Sequence, residues 1–231
     1  MPAKIIASYD GTANEDDAIA LARALAGADG RVELAYVRHT HEPDRDRETL
    51  AQEEAEQLLE RGTRLLGNPQ AARHAVTDRS TPEGLAALAE SEHADVIVFC
   101  SDSHTAPGHV SIGNSAERLL EGGSTAIAIA PVDFAERAPA IKQIVAVGDG
   151  DGGARDTAAA LARSLGANVS PVANGDTDLL VFDSRPQAEH GHVSLSSAAS
   201  HLIEVARCPV LVVPRGVALP FDSGRAVPAA A

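Results

Sequence analysis

The residues of this chain that could do chemistry fall in two loops. "YDGTANED" at residues 9–16 joins Asp10 to a glycine turn and a run of carboxylates, and "CSDSHTAPGHVSIGNSAE" at residues 100–117 crowds Ser, Asp and His together. Ser, His and Asp in one loop raise nucleophilic hydrolysis. A hydrolase on an alternating strand–helix scaffold presents its serine in G-x-S-x-G, and that motif is missing, as are a Walker A loop and a paired-carboxylate motif. His104, His109, His190 and His192, the last two in "EHGH" beside Glu189, raise metal binding. A metal needs three or four converging ligands, and no H-x-x-x-H pair occurs, so these histidines read as solvated loop residues and no metal ligand is assigned. Cys100 and Cys208 are far apart without C-x-x-C and read as buried thiols on strands, neither zinc ligands nor a disulfide framework.

The elements that carry these loops are duplicated. "GHVS" occurs at Gly108–Ser111 and again at Gly191–Ser194, an offset of 83 residues that holds from about Ala94 to Pro131. It pairs Phe99 with Phe182, Leu119 with Leu202, Ile127 with Val210 and Pro131 with Pro214. Upstream, "KIIASYDG" at Lys4 matches "QIVAVGDG" at Gln143 at a longer offset, so the second half is a copy of the first that lacks its middle. The expected boundaries are a first unit over 1–133, a polar linker over 134–141, a truncated unit over 142–216 and a poorly ordered tail over 217–231.

Periodicity in the first unit alternates strand and helix. Residues 4–9, 32–37, 74–76, 94–100 and 125–130 read as strands, the fourth apolar throughout, as when helices cover both faces of a parallel sheet. Glu15, Asp16 and Asp17 open a helix. Residues 44–66 form a long acidic helix, with Ala51, Ala55, Leu58 and Leu65 expected toward the core and Glu48, Glu53, Glu56 and Glu60 toward water. Thr81 is expected to cap the next helix with Pro82 in its first position, and Asn114 with Glu117 has capping-box spacing for the fourth. The fold class expected is α/β: a doubly wound parallel five-stranded sheet of order 3-2-1-4-5, followed by a second, shortened copy of the same unit.

Composition narrows the partners. The net charge is −14, aromatics are 3% and Trp is absent, so the core is aliphatic. Nucleic acid and membrane surfaces are disfavoured by that charge, no apolar run is long enough to span a bilayer, and the N-terminus reads as a strand rather than a leader; the expected localisation is cytoplasmic. Strands 125–130 and 208–213 are apolar with no charge to protect an edge. They are expected to pair within one chain as a pseudo-dimer, with homo-oligomers as a further form of assembly.

In an open parallel sheet a ligand sits beyond the carboxyl ends of the strands where their order reverses, which here brings together the loops of Asp10 and of the first GHVS. A strand ending in Asp10-Gly11-Thr12, the long loop after strand four, "GNSAERLL" and the closing "CPVLVVP" resemble the universal stress protein family, as a tandem member with a shortened second unit. The resemblance implies an ATP site of pattern G-x-x-G-x9-G-[ST], with an Asp after strand one at the ribose and backbone after strand two at the adenine. On this chain it falls on Asp10, Gly11 and Thr12, on Val37, and on Gly113, Asn114 and Ser115. The first two glycine positions are Cys100 and Ser103, and in the second unit the positions are Asp183, Pro186, Ser196 and Ser197. Side chains in place of glycine narrow the approach to phosphate, and neither Lys nor Arg stands in the first loop. The expectation is a non-catalytic protein acting through an unidentified protein partner or a small ligand, without a required cofactor. A weak ATP or AMP binder using the seven residues above is the runner-up, and slow ATP hydrolysis stands third.

Overall fold

The computed structural model describes residues 2–12, 14–28, 30–39, 44–137, 140–148 and 152–221. Gly150, Ala138 and Pro139 of the expected linker, and 222–231 of the expected tail lie outside the described residues.

Nine strands form one sheet of order β3-β2-β1-β4-β5-β9-β8-β6-β7. The first five are β1 (Lys4–Ser8), β2 (Arg31–Arg38), β3 (Arg73–Thr77), β4 (Val96–Cys100) and β5 (Ala126–Ala130), all parallel, in the order 3-2-1-4-5. Then come β6 (Gln143–Val147), β7 (Asn168–Ser170), β8 (Leu179–Asp183) and β9 (Val210–Val213), parallel among themselves. The two sets join antiparallel through β5 and β9, with Ile127 opposite Val212 and Ile129 opposite Val210. This is the pairing expected of those two edges, and it leaves neither open.

Helices cover both faces because β1, β4, β5 and β9 are apolar on both. Ile5 and Ala7 face one layer, made by α1 (Glu15–Ala26), α2 (Arg45–Leu66) and α6 (Gly153–Leu165). Ile6 faces the other, made by α3 (Thr81–Glu92), α4 (Asn114–Leu120) and α7 (Ser197–Glu204). Alanine at 18, 22, 126, 128 and 130 takes the place that aromatics fill in other cores and lets helix and sheet approach closely.

Two helix details differ from the sequence expectation. On α2 the buried positions are Ala55, Leu59, Gly62, Thr63 and Leu66, while Leu65 is 44% exposed. The sequence holds Leu-Leu at both 58–59 and 65–66, so two helical phases are equally apolar. Docking decides between them, because a Cβ on Gly62 would stand 2.7 Å from Leu34 and only Gly lets α2 lie on Leu34 and Tyr9. On α3 the cap is Ser80 rather than Thr81, its hydroxyl accepting from the Glu83 amide at 3.5 Å with Thr81 already helical.

The segments after β5 and β9 are held alike. The Asp17 carboxylate on α1 accepts the N–H groups of Asp133 (2.9 Å) and Ala135 (2.7 Å) where α5 (Phe134–Arg137) begins. At the matching place on α6, Thr157 Oγ1 accepts the N–H of Leu219 at 3.0 Å. Leu219 and Phe221 are buried, so residues 217–221 are packed structure and the expectation of a loose tail is corrected for them. No helix among the described residues is long and apolar enough to cross a membrane.

Candidate functional site

The crevice lies where the strand order reverses, between the ends of β1 and β4. A cleft of about 340 Å³ opens there, and Asp10, Thr12, Gly113, Asn114 and Ser115 line it, joined by Asn14, Glu15, Ser101 and Asp102. Five of the seven expected site residues are therefore together. Gly11 and Val37 are not on the lining. Gly11 has φ +81° and a Cβ there would meet Leu58 Cδ1 at 2.5 Å, so its glycine is required by the packing of α2. Val37 is buried under α3, where Gly84 comes close to its side chain.

Short-range bonds shape the first wall. Asp10 Oδ1 accepts the Thr12 N–H at 2.9 Å, an Asx turn, and Glu15 Oε2 accepts the N–H groups of both Asp10 and Gly11, the latter at 3.0 Å. Glu15 is 7% exposed. Burial, followed by the neighbouring Asp10 carboxylate, pushes its pKa up to about 9, so at neutral pH it is a protonated acid that still accepts through Oε2. The charges in the cleft are then those of Asp10 and Asp102, and neither Lys nor Arg is among its lining residues. Cys100 at the floor is held near pKa 12, first by burial and then by Glu15 and Asp10, which leaves it a protonated and unreactive thiol.

The second wall is the start of α4. Its N-cap is Gly113, which makes no side-chain cap bond, and Asn114 is the first helical residue, so the capping-box expectation is corrected by one position. Gly113 has an ordinary φ of −72°, and a Cβ there would meet nothing within 4 Å. Neither backbone nor packing requires glycine at this place.

In the second unit Asp183, in the place of Cys100, is bonded within the chain. Asp183 Oδ1 accepts the Ala154 N–H at 2.7 Å, Gly148 lies against the Asp183 side chain, and a Cβ on Gly153 would be 2.8 Å from the Val217 carbonyl. Ser196 is spent as the α7 cap, accepting from the Ala199 amide at 3.1 Å.

GHVS has one job in both copies. The Gly108 N–H donates to Val132 and the Val132 N–H returns to His109; likewise Gly191 donates to Arg215 and Arg215 to His192, at 2.8–3.1 Å. Val110 and Val193 are buried. His104 and His190 are exposed, and His192 Nδ1 stands 3.3 Å from the His190 carbonyl.

A cluster that the sequence reading missed lies at the opposite end of the sheet. Glu33, His74 and Glu92 bring their ligand atoms within 4.8 Å of one another. The cation between them is Lys4, whose ammonium is 3.2 Å from Glu33 and 2.6 Å from Glu92, with Arg31 Nε 3.1 Å from Glu33. The charges balance within the chain. The only sequence signal is a charged residue at the start of each of three strands that are neighbours in the sheet.

Comparison with known proteins follows from this geometry. The chain is similar in structure to a universal stress protein from Archaeoglobus fulgidus (14% identity, 92% of this chain and 98% of that one, TM-score 0.67). It is also similar to a protein of unknown function from Pseudomonas aeruginosa PAO1 (13% identity, 92% of each chain, TM-score 0.60). At these identities the likeness is one of fold, and it extends across both units. Among curated proteins no sequence matches this chain. The model of the universal stress protein family matches residues 1–131, more than half of the chain. The crevice loops, the strand order and this match agree: the chain belongs to the universal stress protein family.

Proposed function

We propose that this chain is a cytoplasmic, non-catalytic member of its family whose nucleotide site has degraded, and that it acts by protein interaction or by binding a small ligand. One observation carries the reading. The Asp10 and Gly11 amides, which an anionic ligand at this turn would need, are taken by Glu15, and the cleft around them holds Asp10 and Asp102 with no Lys or Arg on its lining. A triphosphate entering would meet like charge with no Lys or Arg on the lining to offset it. The antiparallel pairing of β5 with β9 supports describing the two units as a pseudo-dimer inside one chain.

A second reading, weak ATP or AMP binding by the first unit, draws on Gly113. Glycine stands there with no local need for it, at the start of a helix whose first N–H groups have no side-chain cap and face the cleft. Mass spectrometry of the denatured protein and calorimetric titration with ATP and AMP separate the two. The degraded-site reading expects no co-purified nucleotide and no saturable heat. Tight binding that Asp10→Ala abolishes would establish the second reading instead, and turnover of ATP by pure protein would overturn the non-catalytic assignment.

A further inference from the structure

A cleft larger than the crevice at Asp10 opens elsewhere on the molecule. It lies on the seam between the two units, on the face of α4 and α7, and encloses about 820 Å³, within the size range of small-molecule sites. The seam has local two-fold symmetry. Val110 N–H donates to Ala206 of the other unit at 3.2 Å, and Val193 N–H donates back to Gly123 at 2.7 Å, residues equivalent under the offset that relates the two GHVS copies.

The lining repeats that symmetry in its chemistry. Ile112 and Leu195 are an equivalent pair and supply apolar surface; Glu121 and Glu204 are an equivalent pair and supply two carboxylates. Glu117 adds a third carboxylate, against Arg185 as the one Lys or Arg on the lining. A site with two carboxylates related by a two-fold and an aliphatic pair between the units complements a two-ended cation with a hydrocarbon middle. Charge-assisted N–H···O bonds from ammonium groups are about twice as strong as neutral ones, and a methylene run gains from leaving water for apolar surface.

We propose that the seam cleft binds a linear organic dication of the aliphatic diamine and polyamine class, its methylenes against Ile112 and Leu195 and its ammonium groups at Glu121 and Glu204. The site is separate from the Asp10 crevice and does not depend on how that crevice treats nucleotides. A phosphorylated ligand is disfavoured here by the same carboxylates.

The test is calorimetric titration of the full chain with 1,5-diaminopentane, a dication with an uninterrupted methylene run, at about 0.15 M salt, where diffuse attraction to the net negative surface is screened beyond about 8 Å. The expected result is one ligand per chain. E121Q/E204Q should weaken it at least tenfold, Leu195→Trp should block it by filling the cleft, and E53Q/E60Q on the far helix α2 should leave it unchanged. Absence of saturable binding or equal loss in E53Q/E60Q would each overturn the proposal. Glu121 and Glu204 are exposed, so E121Q/E204Q decides the matter even if Leu195→Trp fails to fold.

Discussion

Ser101 and Ser184 do the same thing in the two units. The buried hydroxyl of each donates to the carbonyl at the end of the strand beside it, Ala130 at 2.6 Å and Val213 at 2.7 Å. Each also accepts the N–H of the GHVS serine, Ser111 and Ser194, both at 3.1 Å. The repeated sequence is thus fastened at both ends, by its glycine to the segment after the last strand and by its serine to this hydroxyl. Its duplication records a structural clamp.

Ser101→Ala and Ser184→Ala should each leave a buried amide and a carbonyl without this partner, at a cost of about 1–3 kcal/mol. The two clamps share no residue, so the double variant should lose close to the sum. Urea unfolding followed by circular dichroism measures both. Losses well below this range in both single variants would show that the clamp contributes little.

Glu15 should make stability fall as pH rises. Its folded pKa of about 9 lies above the unfolded value of 4.5, so the folded state binds the extra proton between them. The stabilisation is complete below about pH 4.5 and is lost progressively up to about pH 9, with a slope of at most about 1.4 kcal/mol per pH unit. Glu15→Gln keeps an acceptor for the Asp10 and Gly11 amides and removes the titration. Thermal melting between pH 5 and 9 should therefore show a flatter profile in the variant than in the natural chain, and parallel profiles would contradict the assignment.

Lys4→Met should destabilise the far end of the sheet. Glu33 is 1% exposed and keeps Arg31 and His74 as partners when Lys4 is lost, which places the expected cost near the lower end of the range for a broken buried pair, about 3 kcal/mol. The Glu92 carboxyl, held below its usual range by Lys4, should titrate higher in the variant, which NMR can follow. An unchanged Glu92 titration would show that the ion pair is not formed in solution.

Much of the fold was legible because its signals are local or repeated. Apolar strands at Lys4, Ala94 and Thr125, carboxylates opening α1 and the offset between the GHVS copies led to the strand order and to the pairing of β5 with β9. What failed was degenerate at short range. Leu58 and Leu59 suit two phases of one helix, Ser80 and Thr81 are both good caps, and residues 217–221 carry only scattered apolar residues whose burial depends on Thr157, distant in sequence.

The candidate site divides along the same line. The sequence by itself determined which loops meet, because strand order and the rule for parallel sheets place Asp10 beside Gly113. Only the tertiary structure decided that Glu15 turns back onto the Asp10 and Gly11 amides, that Asp183 accepts the Ala154 N–H, and that Glu121 and Glu204 share a cleft on the seam. The reason is physical. Burial and charge act over a few ångströms of space, and the distances that set them join residues whose separation along the chain carries no trace of their meeting.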